Sequence, residues 1–184
     1  MSIHPSVEVL TFWFAPEHKE LQFARNDAFD AQIRDKFYDT WVAAKQGELA
    51  NWRTTIQGRL AEIIVLDQFS RNLNRNSALA YAQDTLALVL SQELLRQPDY
   101  HLLSQAEQQF ALLPFMHSES AVIHAEGLPL FEELGNDVTT EFAIAHKAII
   151  DRFGRYPHRN ATLGRTSTPE EEAFLAEDDS SSKW

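Results

Sequence analysis

The sequence predicts an all-α fold, a compact array of antiparallel helices, on three observations. No stretch sustains the every-second-residue alternation of a half-buried strand. Apolar residues instead recur at spacings of three and four, as in Phe29, Ile33, Phe37 and Trp41. Start and stop signals bracket these stretches, with cap-forming Ser, Thr, Asn or Asp in front and Gly or Pro behind.

The first helix is expected over about Pro5–Ala15, rich in aromatics at Phe12, Trp13 and Phe14. A second starts after Asn26 as N-cap, runs to Gln46 and is closed by Gly47. A third begins near Thr54 or Thr55 and continues to about Phe69, and a fourth spans Ser77–Gln97 with Leu79, Leu86, Leu90 and Leu94 inward, stopped by Pro98. Ser104 and Glu107 form a capping box for the fifth, which Pro114 should kink or end by removing a backbone donor. Ser118–Leu134 reads as helical with a break point at Gly127–Pro129, and Ser118 as its cap. Asp137 or Thr139 opens the next helix, whose inward stripe is Phe142, His146, Ile149, Ile150 and Phe153, ending at Gly154. Thr168, Pro169 and Glu171 then mark the start of a short last helix.

No Gly/Ser linker or internal repeat divides the chain, so residues 1–177 read as one domain and 178–184 as a mobile acidic tail. With no cysteine, there is neither a disulfide nor a thiolate ligand, in keeping with a reducing, cytoplasmic setting. No apolar run approaches the roughly 20 residues of a membrane span, and the N-terminus lacks the pattern of a signal peptide. A formal net charge of −11 argues against nonspecific nucleic-acid binding.

Against that acidity, the stretch IIDRFGRYPHRNATLGR at 149–165 stands out. It holds Arg152, Arg155, Arg159 and Arg165 with His158 and Asn160, and no Asp, Glu or Lys lies between Arg152 and Pro169. Arginine rather than lysine throughout suggests planar, two-armed hydrogen bonding to a carboxylate or phosphate. Two further segments carry chemistry. In LDQFSRN at 66–72, Asp67 and Arg71 sit four apart on the face that begins with Leu60 and Ile64, which suits an ion pair or an Asp that positions its Arg toward a ligand. In PFMHSE at 114–119, His117, Ser118 and Glu119 fall at a helix junction, where His117 is placed for proton transfer. His146, on an apolar helix face, is either a core histidine or the wall of the same site. No HExxH, Asp-rich calcium loop, P-loop or G-x-G-x-x-G occurs, so neither a metal nor a nucleotide cofactor is expected.

FWF near the start, LDQFSRN, LPFMHSE and FGRYPHRNATLGRTSTPEE, in that order, resemble an uncharacterised bacterial family, domain of unknown function 924, from about Val9 to Leu175. The resemblance implies a tetratricopeptide-repeat-like helical superhelix with a concave face, and no established activity. Ser70 stands where the family commonly has proline.

Together these features predict a small anionic ligand, phosphate- or carboxylate-bearing, held by Arg71, His146, Arg155, Arg159, Asn160 and Arg165. His117, His158, Asp67 and Glu119 are the candidates for acid–base catalysis. Two alternatives stand beside it. One is a tetratricopeptide-like module that clamps an acidic peptide, for which Tyr156 would be the exposed aromatic. The other is a structural staple, in which the arginines pair with acids such as Asp67 or Glu119 and cap helix ends.

Overall fold

The computed structural model describes residues 2–177, so the expected tail at 178–184 lies outside the described residues. Every regular element among them is helical, with no strand. The chain divides into two compact units, Met1–Arg75 with Leu79–Pro114, and Asn76–Ala78 with Phe115–Trp184. No described helix is long and apolar enough to cross a membrane.

In the first unit, α1 (Ser6–Trp13) and α2 (Asp27–Lys45) form where expected. The Asn26 side chain caps α2 by accepting from the Phe29 N–H at 2.9 Å. Phe29, Ile33, Phe37 and Trp41 are all buried along its inner stripe, and Gly47, at φ +75, lets the chain leave the helix. Thr55 caps α3 (Ile56–Ile64), accepting from the Gly58 N–H at 3.0 Å. Gly58 is there for space: a Cβ would lie 2.0 Å from the Trp52 carbonyl oxygen.

The helical backbone does not stop at Phe69. A π-helical turn (Val65–Phe69) leads into α4 (Ser70–Leu73). Ser70 is fully buried in this continuation, where its hydroxyl donates to the Leu66 carbonyl and accepts from Trp41 Nε1 at 2.9 Å. The next helix, α5 (Asp84–Leu95), starts later than Ser77, after a single 3-10 turn at Ala78–Ala80. Its buried face is Ala87, Leu88, Ser91 and Leu94; Leu79 is 51% exposed, while Leu86 and Leu90 are half-buried. α5 packs on α3, and the buried Ser91 hydroxyl donates to the Ala111 carbonyl. Ser104 and Glu107 form the predicted capping box of α6 (Gln105–His117). Pro114 does not end α6: although it brings no N–H to the helix, the helix runs on to His117, and every residue from 110 to 116 is buried.

In the second unit, α7 (Ala121–Leu134) and α8 (Asp137–Phe153) pack as a hairpin across Gly135–Asn136. Ser120, not Ser118, caps α7, and the helix runs unbroken through Gly127 and Pro129. Gly127 is pressed against Phe115, where a Cβ would approach to 2.9 Å. Asn136 caps α8. The inner face of α8 is Thr139, Ala143, His146, Ile149 and Ile150, whereas Phe142 is 42% exposed and Phe153 half-buried. Gly154, at φ +68, turns the chain out of α8 into the arginine-rich loop, which includes a 3-10 turn at Pro157–Arg159. Thr168 and Glu171 then open α9 (Pro169–Glu177) as a capping box, with bonds of 3.2 and 2.8 Å.

Candidate functional site

Asp67 and Arg71 belong to the first unit. The π-helical turn brings the Arg71 guanidinium to Asp67 Oδ1 at 3.1 Å and to the Asp67 carbonyl at 2.8 Å. Asp84, at the start of α5, takes both arms of the same guanidinium at 2.9 and 3.0 Å. Gln68 donates to the remaining Asp67 oxygen. Burial by itself would lower the Arg71 pKa, but the Asp67 and Asp84 carboxylates outweigh it and hold the group charged above its ordinary range. Asp84 was missed in the sequence because it lay inside a helix assigned to start seven positions too early.

The other eight predicted residues belong to the second unit, and three of its arginines meet carboxylates. Arg152 donates to Glu170 at 3.0 Å on the exposed side. Arg155 grips Glu171 with both arms, at 2.6 and 2.8 Å. Arg165 grips Glu119 in the same way, at 2.6 and 2.9 Å. Asn160, 1% exposed, links the last two pairs. Its oxygen accepts from Arg165 Nε at 2.9 Å, and its amide nitrogen donates to Glu171 Oε2 at 3.2 Å and to Ser167 Oγ at 3.1 Å.

These partners fix the two carboxyls in the charged state. Burial works against ionisation of Glu119, but the Arg165 hydrogen bonds, the Tyr156 N–H and the Arg159 charge outweigh it and lower the pKa. Glu171 is lowered to about 2, chiefly by Arg155 and against its own burial, with help from the Thr168 N–H and Asn160.

Tyr156 is the hub of the loop. It is fully buried, so it is no exposed anchor for a peptide; it joins Ile149 and Ile150 in the core of this unit, with Phe153 and Phe174 packed alongside. Its hydroxyl donates to the Met116 carbonyl. Above its ring lies the Arg159 guanidinium, 4.6 Å from the ring centre, which also donates to the His117 carbonyl at 3.1 Å. Arg159 is only 6% exposed.

Histidines surround the same ring: His146 and His158 lie with ring centres 5.6 and 5.4 Å from that of Tyr156. His124 Nε2 lies 2.8 Å from the Ser118 carbonyl and 3.1 Å from the Tyr156 hydroxyl. A carbonyl only accepts, so His124 Nε2 carries the proton. His146 Nδ1 likewise donates to the Phe142 carbonyl at 2.8 Å, which leaves Nε2 as its basic nitrogen. Burial lowers the His124 pKa and pushes His146 down to about 3, with the nearby His117, His124 and His158 acting in the same direction on His146. Both rings are therefore neutral at physiological pH. His117 and His158 are half-buried. His124 escaped sequence reading because nothing in AVIHAEG separates it from an ordinary helix residue. Among the described residues, no group of three or more His, Cys, Asp or Glu is arranged to hold a metal ion.

The geometry defines a class: an all-α protein whose last loop is locked by two-armed arginine–carboxylate pairs around a buried tyrosine ringed by histidines. Bacterial proteins of unknown function, DUF924, supply the family model that matches residues 9–179, and the chain belongs to that family. It is similar to a protein of unknown function from Agrobacterium tumefaciens whose structure is solved, with 35% identity and a TM-score of 0.88 over 94% of this chain and 97% of that one. No curated protein matches it.

Proposed function

We propose that the second unit binds a small anionic ligand, phosphate- or carboxylate-bearing, at Arg159 with His117 and His158. The observation that carries this reading is the setting of Arg159. Arg159 is only 6% exposed, its guanidinium sits 4.6 Å from the Tyr156 ring centre and donates to the His117 carbonyl, and the ring of His158, its neighbour in the chain, also lies against Tyr156. A cation held this way loses little freedom on meeting an anion. Arg155 and Arg165 then act as the frame of the turn, because Glu171 and Glu119 occupy both arms of each. Imidazole is the side chain suited to proton transfer near neutrality, so His117 and His158 would serve as acid and base if the bound ligand is turned over.

The staple reading has its own observation in the Arg155–Glu171 and Arg152–Glu170 pairs, which tie α9 to the end of α8. Thermal melting separates the two. Phosphate, sulfate, a panel of carboxylates and an acidic peptide are titrated at constant ionic strength into the wild type, Arg159→Ala and His158→Ala. Ligand binding predicts an anion-specific rise in Tm for the wild type that is lost in Arg159→Ala and reduced in His158→Ala. No rise in the wild type, or equal rises in all three proteins, leaves the staple. A response to the peptide alone favours the clamp.

A further inference from the structure

Glu119 and Arg165 do more than neutralise each other. Glu119 Oε1 accepts from the Tyr156 backbone N–H at 2.7 Å, and Arg165 Nη2 donates to the Tyr156 carbonyl at 3.0 Å. The pair therefore meets both backbone polar groups of the residue on which the Arg159 guanidinium lies. Arg165 Nε also holds the Asn160 side-chain oxygen at 2.9 Å, so the same guanidinium spans the turn from its first residue to the one after Arg159. All three guanidinium nitrogens are in use, on four acceptors. The backbone closes the same turn, with Arg159 N–H donating to the Tyr156 carbonyl at 3.0 Å and Arg165 N–H to the Asn160 carbonyl at 2.8 Å. By pairing the Tyr156 N–H and C=O as well as each other, Glu119 and Arg165 fix the backbone of the turn that carries Arg159.

We infer that Glu119 and Arg165 are positioning residues that set the Arg159–His158 turn for the anion, an inference that rests on the function proposed above. Neither needs to touch the ligand. Two consequences distinguish positioning from simple stabilisation. Charge alone is insufficient, since a lysine ammonium at 165 cannot reach the carboxylate, the Tyr156 carbonyl and Asn160 together in one plane. An ion pair of reversed polarity is also insufficient: it restores the attraction but turns a cation toward the Tyr156 N–H.

The experiment measures inorganic phosphate binding by titration calorimetry, stability by thermal melting, and the Tyr156 amide proton shift by NMR. The proteins compared are the wild type, Arg165→Lys, the milder Glu119→Gln, the charge-swapped double variant Glu119→Arg with Arg165→Glu, and Arg152→Lys as a control on the exposed pair. The expected result is phosphate affinity weakened about tenfold or more in Arg165→Lys and in the charge swap, the loss set by one charge-assisted hydrogen bond. Glu119→Gln, which keeps an acceptor for Tyr156, should bind more tightly than the charge swap, with a Tyr156 amide shift nearer the wild type. Arg152→Lys should bind as the wild type does. Affinity that follows Tm across the set, or that stays within about twofold of the wild type in Arg165→Lys and Glu119→Gln, overturns the inference while leaving the anion site intact. Absence of phosphate binding by the wild type itself removes the site and the inference together.

Discussion

Glu171 holds Arg155 through both carboxylate oxygens, at 2.6 and 2.8 Å, while one of those oxygens also accepts from the Thr168 N–H at 2.8 Å and from Asn160 at 3.2 Å. One carboxylate thus closes the capping box of α9 and anchors the loop that follows α8. Glu171 is 2% exposed, an uncommon place for an acid that is not fully partnered.

Replacing Glu171 with alanine should therefore act on both features at once. It removes the acceptor of four hydrogen bonds. The expected result is a fall in Tm of about 5 °C or more, set by the loss of a cap and of charge-assisted bonds. Glu171→Gln, which keeps oxygen and shape, should fall less. The pH dependence follows from the same group. Its folded pKa of about 2 lies below the ordinary 4.5, so the stabilisation is full above about 4.5 and is lost as pH falls toward 2. Melting curves from pH 6 to pH 2 check this, and the alanine variant should lack that part of the acid-side slope.

His146 gives a second, separable acid transition. Its folded pKa of about 3 lies below the ordinary 6.5, so between those values the unfolded chain binds the proton and the folded one does not. Stability should be constant above about pH 6.5 and fall below it, by at most about 1.4 kcal/mol per pH unit for this one group. His124 shifts in the same direction and adds to the slope. His146→Leu should flatten the fall between pH 6 and pH 4, as read from urea denaturation. An unchanged slope in that variant would mean that His146 is protonated in the folded protein.

In the first unit, Asp67→Ala should cost about 2–3 kcal/mol, because it strips the acceptor from Gln68 and one partner from Arg71 in a site where Asp67 is 1% exposed. Asp84 keeps Arg71 from becoming an unpaired buried charge, so the single change is survivable. Removing Asp67 and Asp84 together should cost more than the sum of the two single losses, since only the double variant leaves Arg71 with neither carboxylate. Chemical denaturation of the three variants measures that coupling; strict additivity would show the two carboxylates acting independently.

Much of the fold was legible in the sequence because helix ends are local events. Asn26, Thr55 and Thr168 cap the helices that follow them, and Gly47 and Gly154 close the helices before them, because each acts within four residues of itself. The phase of α5 was less legible. Its leucines repeat well enough to suggest an inward stripe, but Ala87 and Ser91 share the buried face with Leu88 and Leu94, and small residues carry no signal in a hydrophobic pattern. The same limit let Ser118 stand in for Ser120, since both are good caps in one short junction.

For the candidate site, the spacing of the arginines in the sequence placed an unusual charge at 152–165 and pointed to the anionic groups that would answer it. Which acid meets which arginine was decided by the tertiary structure. Glu119 and Arg165 are 46 positions apart and Arg155 and Glu171 are 16 apart, and no periodicity connects either pair. The burial of Tyr156 was settled at the same level: in the sequence it is one aromatic in a polar loop, and only the folding of that loop over Ile149 and Ile150 withdraws it from water. Local hydrogen bonding fixes where a helix starts and stops, whereas a side chain's partner and exposure depend on segments that meet only after the chain has folded.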